Sequence, residues 1–290
     1  MIKKECFTTE WIEQVSSELH YNDKNLIEKV IRALSLLEML VKAGCPLVFK
    51  GGTALMLILG KSAHRLSIDI DVICPPGTNI EDYLKSFADF GFINLELVER
   101  KQRDDADIPK SHSKFFYQIA YRNDTDAQSY ILLDVLYEDI HYFQTRQIAI
   151  DCPFIRLEGE PLMVTVPSAE DILGDKLTAF APNTTGIPYY KNGRSCSMEI
   201  AKQLYDVGRL FENVSGLQIT SEAFRKIALV ELSYRSLGTD IGQVFNDIRQ
   251  TALCISTRGK AGEGDFELIQ DGIIRVKSFM YKQRYQIDNA

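Results

Sequence analysis

The chain has 290 residues, of which 45% are hydrophobic and 25% charged, values typical of a globular protein with two domains or one large one. The net charge of −7 disfavours a general nucleic-acid coat protein, whose affinity depends on many Lys and Arg side chains. No apolar run approaches the roughly 20 residues that span a bilayer, and the charged start does not resemble a signal peptide. The six cysteines form no CxxC pair, so we expect free thiols, no zinc site and a cytoplasmic location.

In chain order, helical periodicity first predicts helices over residues 9–44. PLVFK, at 46–50, is a predicted short strand, and it leads through a glycine turn into a short apolar helix, TALMLILG. LSIDIDVI, at 66–73, predicts a second strand, and NIEDYLKSFADFGF predicts a helix with Asn79 as its N-cap. Further strand-like runs lie at 92–99, 114–121, 129–137 and 146–150.

The pattern changes in the second half of the chain. Ser168 begins a predicted helix that runs to Phe180, TTGIPYYKNGR is a predicted loop, and helical periodicity continues from about 198. We therefore predict a mixed α/β (α+β) fold. It comprises an N-terminal domain over 1–165, with a sheet and flanking helices, and a mostly helical C-terminal domain over 166–290.

The strongest chemical signal is a pair of aspartates one residue apart, Asp69 and Asp71. Because side chains alternate along a strand, both carboxylates are predicted to lie on the face opposite Ile70. Such a pair is costly unless a cation lies between its members, and Mg²⁺ binds one or two carboxylates together with substrate phosphates. A later strand carries Asp134, and if it lies beside the first, three carboxylates can hold two metal ions. The alternative is an Asp-x-Asp pair that faces water at a strand end.

The turn KGGTAL follows a strand and opens a helix, an arrangement that exposes backbone N–H groups and predicts a phosphate site. Polar side chains just upstream of the aspartates can bind phosphate or orient the carboxylates. A turn that needs glycine only for its backbone is the alternative. The predicted nucleotide-binding residues in these segments are Lys50, Gly51, Gly52, Thr53, Arg65 and Ser67.

The chain resembles the polymerase β-type nucleotidyltransferase superfamily. The resemblance lies in a glycine turn, a short helix, Asp-x-Asp on the next strand and a later Asp. The fuller pattern, FKGGTAL followed by RLSIDIDV, is similar to the AbiEii/AbiGii toxin nucleotidyltransferase family of toxin–antitoxin and abortive-infection systems. PSAEDILGDKLTAF resembles the family's helix with an essential lysine, which falls on Lys176. AKQLYDVGRLF resembles its Lys/Arg-Asp-x-x-Asp-Leu segment, whose last acid falls on Asp206, although Gln203 replaces an acid usual there.

The resemblance implies an Mg²⁺-dependent enzyme, with two Mg²⁺ ions or Mn²⁺ in their place, that transfers a nucleotide from an NTP to an acceptor. It implies that Asp69, Asp71 and Asp134 bind metal, that Lys176 neutralises and binds the triphosphate, and that Asp206 orients Lys176 or contacts the nucleotide. Relatives modify RNA, including tRNA 3′ ends, so a tRNA acceptor and a toxin's role are expected. The cognate antitoxin is expected to act without forming a stable complex.

Two other functions stay open on the sequence. The same site could transfer a nucleotide to a protein or small molecule, or the chain could be a non-catalytic nucleotide-binding protein. The widely spaced histidines predict no catalytic triad; they are His20, His64, His112 and His141.

Overall fold

The computed structural model describes residues 1–98, 109–121, 127–282 and 285–289. They form two compact units: the first comprises the described residues up to 140 together with 145–167, and the second comprises 141–144 and the residues from 168 onward. The short segment 141–144 groups with the second unit because the backbone N–H groups of Phe143 and Gln144 donate to Asp171, at 2.7 and 3.0 Å.

The predicted mixed α/β class is confirmed. The helices are α1 Thr9–Glu18, α2 Lys24–Lys42, α3 Gly51–Leu59, α4 Ala169–Ala179, α5 Ser197–Phe211, α6 Gln218–Tyr234, α7 Ile241–Ser256 and α8 Phe266–Val276. The strands are β1 Val48–Lys50, β2 Ile70–Cys74, β3 Asn94–Val98, β4 Lys110–Gln118, β5 Gln128–Tyr137, β6 Thr145–Ala149, β7 Met163–Pro167, β8 Tyr190–Lys191 and β9 Arg194–Ser195.

A mixed five-stranded sheet organises the first unit, in the order β1-β2-β5-β4-β3. β2 and β5 run parallel, whereas the other neighbours are antiparallel. One face is apolar and buried, since Phe49, Val72 and Val135 are cross-strand neighbours with almost no exposure. Side chains alternate between faces, so this apolar set dictates that the intervening polar residues lie on the opposite face.

Helix α2 contacts β2 and β5 and is buried around most of its circumference. Its Glu28, 1% exposed, accepts a hydrogen bond from the backbone N–H of Ala120 at 3.0 Å and pairs with Arg32 at 3.5 Å. The Arg32 guanidinium also stacks over the ring of Tyr117, on β4. Burial raises the pKa of Glu28, against the opposing effects of the Ala120 N–H and Arg32. These contacts fix β4 to the central helix.

The helix predicted from Asn79 onward is wrong: the segment forms two short 3₁₀ turns, Ile80–Tyr83 and Phe87–Phe90, and the Asn79 side chain caps neither. Burial of Leu84 and Phe92 directs the path of the chain here and overrides the helical pattern.

Strand boundaries also shift. The strand predicted over 114–121 begins earlier, at Lys110, and β7 was not predicted although it pairs with β6. The run at 92–99 corresponds to β3, and residue 99 lies outside the described residues.

The second unit is mainly helical, as predicted. Ser168 caps α4, accepting a hydrogen bond from the Asp171 N–H at 3.0 Å. Gly174 lets α4 approach α6 closely, because a Cβ there would lie 2.8 Å from the backbone nitrogen of Phe224. The predicted loop from Thr184 contains a hairpin, β8–β9, whose turn places Asn192 and Gly193 at positive φ.

Across the part of the chain that the structure describes, no helix combines the length and apolar character that a membrane span requires. The six cysteines, all within the described ranges, are free thiols as expected.

We expect Glu28→Ala to destabilise the first unit by about 3–5 kcal/mol, because it leaves the buried Arg32 guanidinium without its counter-ion. Glu13→Ala is the matched control, since Glu13 forms an exposed pair with Lys24 worth at most about 1 kcal/mol. Urea unfolding followed by the fluorescence of Trp11, the single tryptophan, reports on this unit. Equal unfolding midpoints for the two variants would contradict the role given to Glu28.

Candidate active site

Four ionisable side chains lie in one row across the five-stranded sheet. Each is the direct cross-strand partner of the next, in the order Lys50 on β1, Asp71 on β2, Asp134 on β5 and His112 on β4. Directly paired residues point to the same side of a sheet, so all four side chains lie on one face. The condition that the sequence analysis set, that the strand of Asp134 lies beside that of Asp71, is met.

The order of charges along this row limits the repulsion between its two central carboxylates. Two like charges about 5 Å apart repel by about 3 kcal/mol at an effective dielectric constant of 20, more than a typical cross-strand pair contributes. Lys50 neighbours Asp71 on one side, and on the other side Nδ1 of His112 hydrogen-bonds to Oδ1 of Asp134. Because a carboxylate can only accept, Nδ1 carries the hydrogen. The free protein therefore balances part of the charge that a cation would neutralise.

The glycine turn brings the start of α3 against Asp71. Gly51 has φ of +79°, and a Cβ at this position would lie 2.0 Å from Oδ2 of Asp71. Gly51 is also the first residue of α3, and no side chain caps that helix. Only glycine satisfies both the left-handed backbone and the close approach of the carboxylate. The turn thus aligns a helix N-terminus, which favours anions, with one of the two acids.

The remaining residues of the predicted phosphate site lie around this turn. A Cβ on Gly52 would lie 2.6 Å from Oγ of Ser67 and 2.9 Å from Nη2 of Arg65, so both side chains contact the turn. Thr53 is buried, and its hydroxyl donates to the backbone carbonyl of Asp69 at 2.7 Å. This hydrogen bond fixes the position of Asp69, the residue before β2. Phosphate binding by the Thr53 side chain therefore stays a prediction.

A pocket of about 130 Å³ opens over the row. It is lined by Lys50, Asp71, Val72, Lys110, His112, Asp134, Val135 and Leu136. Pockets that enclose a whole small-molecule ligand are larger, roughly 300–1,000 Å³. This pocket therefore matches a phosphate group or a cation better than a complete nucleotide.

A larger cavity lies in the second unit but does not match the predicted chemistry. It measures about 520 Å³ and is lined largely by apolar side chains of α4–α7, among them Leu177, Phe211 and Phe245. It contains none of the predicted site residues.

The side chains of the row fit a hard divalent cation only if the substrate supplies further ligands. Asp71 and Asp134 offer carboxylate oxygens from adjacent strands, and Mg²⁺ takes one or two carboxylates while substrate phosphates complete its shell. Within the described residues, no three His, Cys, Asp or Glu side chains converge in a geometry that could hold a metal ion. Asp69, placed one residue before β2, is not among the described residues that line the pocket. The structure thus brings Asp71 and Asp134 together but does not gather all three acids into one cluster.

In the second unit, the two residues assigned by resemblance form a buried ion pair. Nζ of Lys176 lies 3.0 Å from Oδ2 of Asp206, and the two side chains are 10% and 2% exposed. The same Nζ donates to Oε1 of Gln203 at 2.9 Å. The amide that replaces the usual acid therefore contacts Lys176, and the expectation that Asp206 orients Lys176 agrees with this contact.

Sequence reasoning missed two residues of the pocket, His112 and Lys110. Both lie on β4, which begins at Lys110, four residues before the strand predicted from 114, so the prediction places His112 outside any strand. Polar alternation in KSHSKFFYQ was the available signal, because Lys110, His112 and Lys114 occupy every second position. Their proximity to Asp134 depends on strand register, which the sequence does not display.

Comparison with known families agrees with the row and the glycine turn. The model of the family described as "Nucleotidyl transferase AbiEii toxin, Type IV TA system" matches residues 33–279, most of the chain. The chain belongs to the AbiEii nucleotidyl transferase toxin family. Membership identifies it as a nucleotidyltransferase of a toxin–antitoxin system, with a nucleotide substrate and a cognate antitoxin. No curated protein matches the sequence.

The solved structures that are distantly similar to this AbiEii family member include the following two. JHP933 from Helicobacter pylori is 18% identical, with 80% of this chain and 94% of that one covered, at a TM-score of 0.42. MenT4, the nucleotidyltransferase toxin Rv2826c from Mycobacterium tuberculosis H37Rv, is 13% identical, with 87% and 74% covered, at a TM-score of 0.45. At these values neither likeness bears on function, and the assignment rests on the family match.

We expect Gly51→Ala to reduce nucleotidyl transfer by about 100-fold, because the added methyl group displaces the Asp71 carboxylate. Gly44→Ala is the matched control: Gly44 also has positive φ, +75°, but no atom lies within 4 Å of its added Cβ. Both variants carry the same backbone cost of about 1–2 kcal/mol, which Trp11 fluorescence in urea measures. Equal activity of the two alanine variants would show that contact with Asp71 is unimportant.

The resemblance assigns Lys176 to the triphosphate, and paired variants separate this role from folding. Lys176→Met alone is expected to cost about 3–5 kcal/mol and to abolish transfer, because the buried Asp206 carboxylate loses its contact with the Lys176 ammonium group. The double variant Lys176→Met/Asp206→Leu replaces the whole pair with apolar groups and is expected to regain stability but no activity. If activity returned with stability, Lys176 would have a structural role alone.

Proposed function

We propose that this AbiEii family member is an Mg²⁺-dependent toxin that transfers a nucleotide from an NTP to a hydroxyl of RNA, at the 3′ end of tRNA. The observation that carries the metal-dependent part is the direct pairing of Asp71 with Asp134 on adjacent parallel strands, beside the N-terminus of α3. Support for the tRNA acceptor comes from the family resemblance. The free thiols support a reducing compartment, and we propose the cytoplasm.

In the proposed reaction, the acceptor hydroxyl oxygen forms a bond to the α-phosphorus of the NTP. The bond from that phosphorus to the oxygen bridging to the β-phosphate breaks, and pyrophosphate leaves with its electron pair. The acceptor hydroxyl releases its proton to water. A bound Mg²⁺ would neutralise the phosphate charge and lower the pKa of the attacking hydroxyl. The protein's contribution is therefore to position charges before the reaction begins.

Residues of the first unit would bind the metal and the phosphates. Asp71 and Asp134 would hold the metal through carboxylate oxygens, and we retain Asp69 as a third acid that can join when substrate is present. The backbone N–H groups of Gly51, Gly52 and Thr53, at the start of α3, would bind phosphate oxygens. Charge complementarity supports phosphate contacts by the lysines that line the pocket, Lys50 and Lys110, and by Arg65 and Ser67 at the turn.

The family resemblance gives two further roles, to Lys176 and Asp206. Lys176 would offset the charge on the triphosphate as pyrophosphate departs, and Asp206 would hold its ammonium group in place. The buried pairing of these two side chains supports the second of these roles.

Two further proposals concern the antitoxin and the metal ions. The cognate antitoxin would act without a stable complex with this chain, in keeping with the resemblance. Two Mg²⁺ ions would act together, and Mn²⁺ could take their place, as the resemblance implies.

The acceptor is tested by incubating the protein with each radiolabelled NTP, Mg²⁺, and either total RNA or a protein extract. Label in RNA, mapped to tRNA 3′ ends by sequencing, is expected. Label in protein would favour the alternative acceptor, and the absence of incorporation would favour a non-catalytic nucleotide-binding protein. Chelation with EDTA is expected to abolish incorporation, which excess Mg²⁺ should restore.

We expect Asp71→Asn and Asp134→Asn each to abolish incorporation of label and to relieve growth arrest on expression, because each removes a metal-binding charge. Asp89→Asn, at an exposed acid of the same unit, is the matched control and should remain active and toxic. Unfolding midpoints verify that all three variants are folded. If Asp134→Asn arrested growth like the wild type, the carboxylate pair would not be the catalytic centre.

A further inference from the structure

Among the described residues, the one hydrogen bond of the His112 imidazole is to one of the two central acids. Its Nδ1 donates a hydrogen bond to Oδ1 of Asp134, its direct partner on β5. The two groups differ in accessibility: the His112 side chain is 10% exposed, whereas that of Asp134 is 38% exposed. Both side chains line the pocket, and the carboxylate is the more exposed of the two.

The other ring nitrogen shows why a histidine at this position matters to the site. Nε2 of His112 is buried and has no hydrogen-bond partner among the described residues. A buried histidine that serves the fold alone usually satisfies both nitrogens, because an unpaired polar atom in the interior is costly. Here the one hydrogen bond of the ring is to Asp134, so the polar interaction of His112 serves that acid.

The backbone of His112 is held firmly enough for its ring to orient a carboxylate. β4 is paired with β5 from Lys110 to Gln118 and with β3 on its other side. One residue before His112, the Ser111 hydroxyl lies 2.8 Å from the hydroxyl of Tyr137, on β5. A ring fixed in this way restricts the rotation of the acid that it binds.

We propose that His112 is a positioning residue that fixes the rotamer of Asp134 and so presents its second oxygen, Oδ2, to a divalent cation. This inference rests on the proposed function and deepens it. Hydrogen-bond partners of metal-binding carboxylates orient them, and loss of such a partner typically costs 10–100-fold in metal affinity or activity. His112 contacts neither nucleotide nor acceptor in this account.

The test compares side chains that place a donor at different points of the ring. His112→Asn carries an N–H near the position of Nδ1, and His112→Gln carries one near the position of Nε2. His112→Leu removes both donors, and Lys114→Leu is the matched control, two residues along β4 on the same face and paired with Glu96 at 3.6 Å. Asp134→Asn tests the metal site itself. Unfolding midpoints are recorded for every variant.

Mn²⁺ binding is measured by isothermal titration calorimetry in the presence of a non-hydrolysable NTP analogue, and needs no catalytic turnover. We expect His112→Leu and His112→Gln to weaken Mn²⁺ binding about 10–100-fold, while His112→Asn regains most of the affinity and Lys114→Leu matches the wild type. Nitrogen-15 NMR of the histidine ring in the free protein should show hydrogen on Nδ1 in the wild type, and a changed Nδ1 shift in Asp134→Ala.

The outcomes separate the two proposals. Equal Mn²⁺ affinity in His112→Asn, His112→Gln and the wild type would overturn the positioning role, even with Asp134 essential, and so would an Nδ1 without hydrogen. If Asp134→Asn instead binds Mn²⁺ as tightly as the wild type, the metal site of the proposed function fails first. If the leucine variant does not fold, the comparison of the asparagine and glutamine variants decides alone.

Discussion

Repulsion between two carboxylates that the sheet forces together is the constraint on which the rest of the site depends. Asp71 and Asp134 are paired because β2 and β5 run parallel in one register, and their apolar neighbours fix that register through burial on the opposite face. A one-residue slip of either strand would turn the acid of that strand into the core. The apolar core therefore determines where the negative charge lies, and that charge defines what the site can bind.

The surroundings of this pair offset the repulsion without filling the site. Lys50 and His112 flank the acids in the same row, and the uncapped start of α3 lies against Asp71 at Gly51. Such an arrangement tolerates two close acids in the free protein and still leaves Asp134 open to the pocket. It is the pattern expected of a site that exchanges a cation-bound phosphate rather than one that holds a permanent metal.

Much of this arrangement could be predicted from local sequence, and the rest depended on tertiary pairing. Residue alternation and the glycine turn predicted Gly51 close to the acidic strand, whereas the proximity of Asp134 to Asp71 depended on the condition that their strands lie side by side. The contact between His112 and Asp134 requires the register of β4 on β5, which no local pattern contains. The helix predicted from Asn79 does not form, for a related reason. Burial of the segment's apolar residues, rather than helical propensity, determined the backbone conformation there.

The central claim is that Asp71 and Asp134 share a divalent cation that also binds the triphosphate. A crystal structure with Mn²⁺ and a non-hydrolysable NTP analogue, with manganese located by its anomalous scattering, tests this most directly. We expect a manganese ion within about 2.6 Å of an oxygen from each carboxylate and of a phosphate oxygen. A nucleotide bound with its metal away from either carboxylate, or bound without metal, would contradict it.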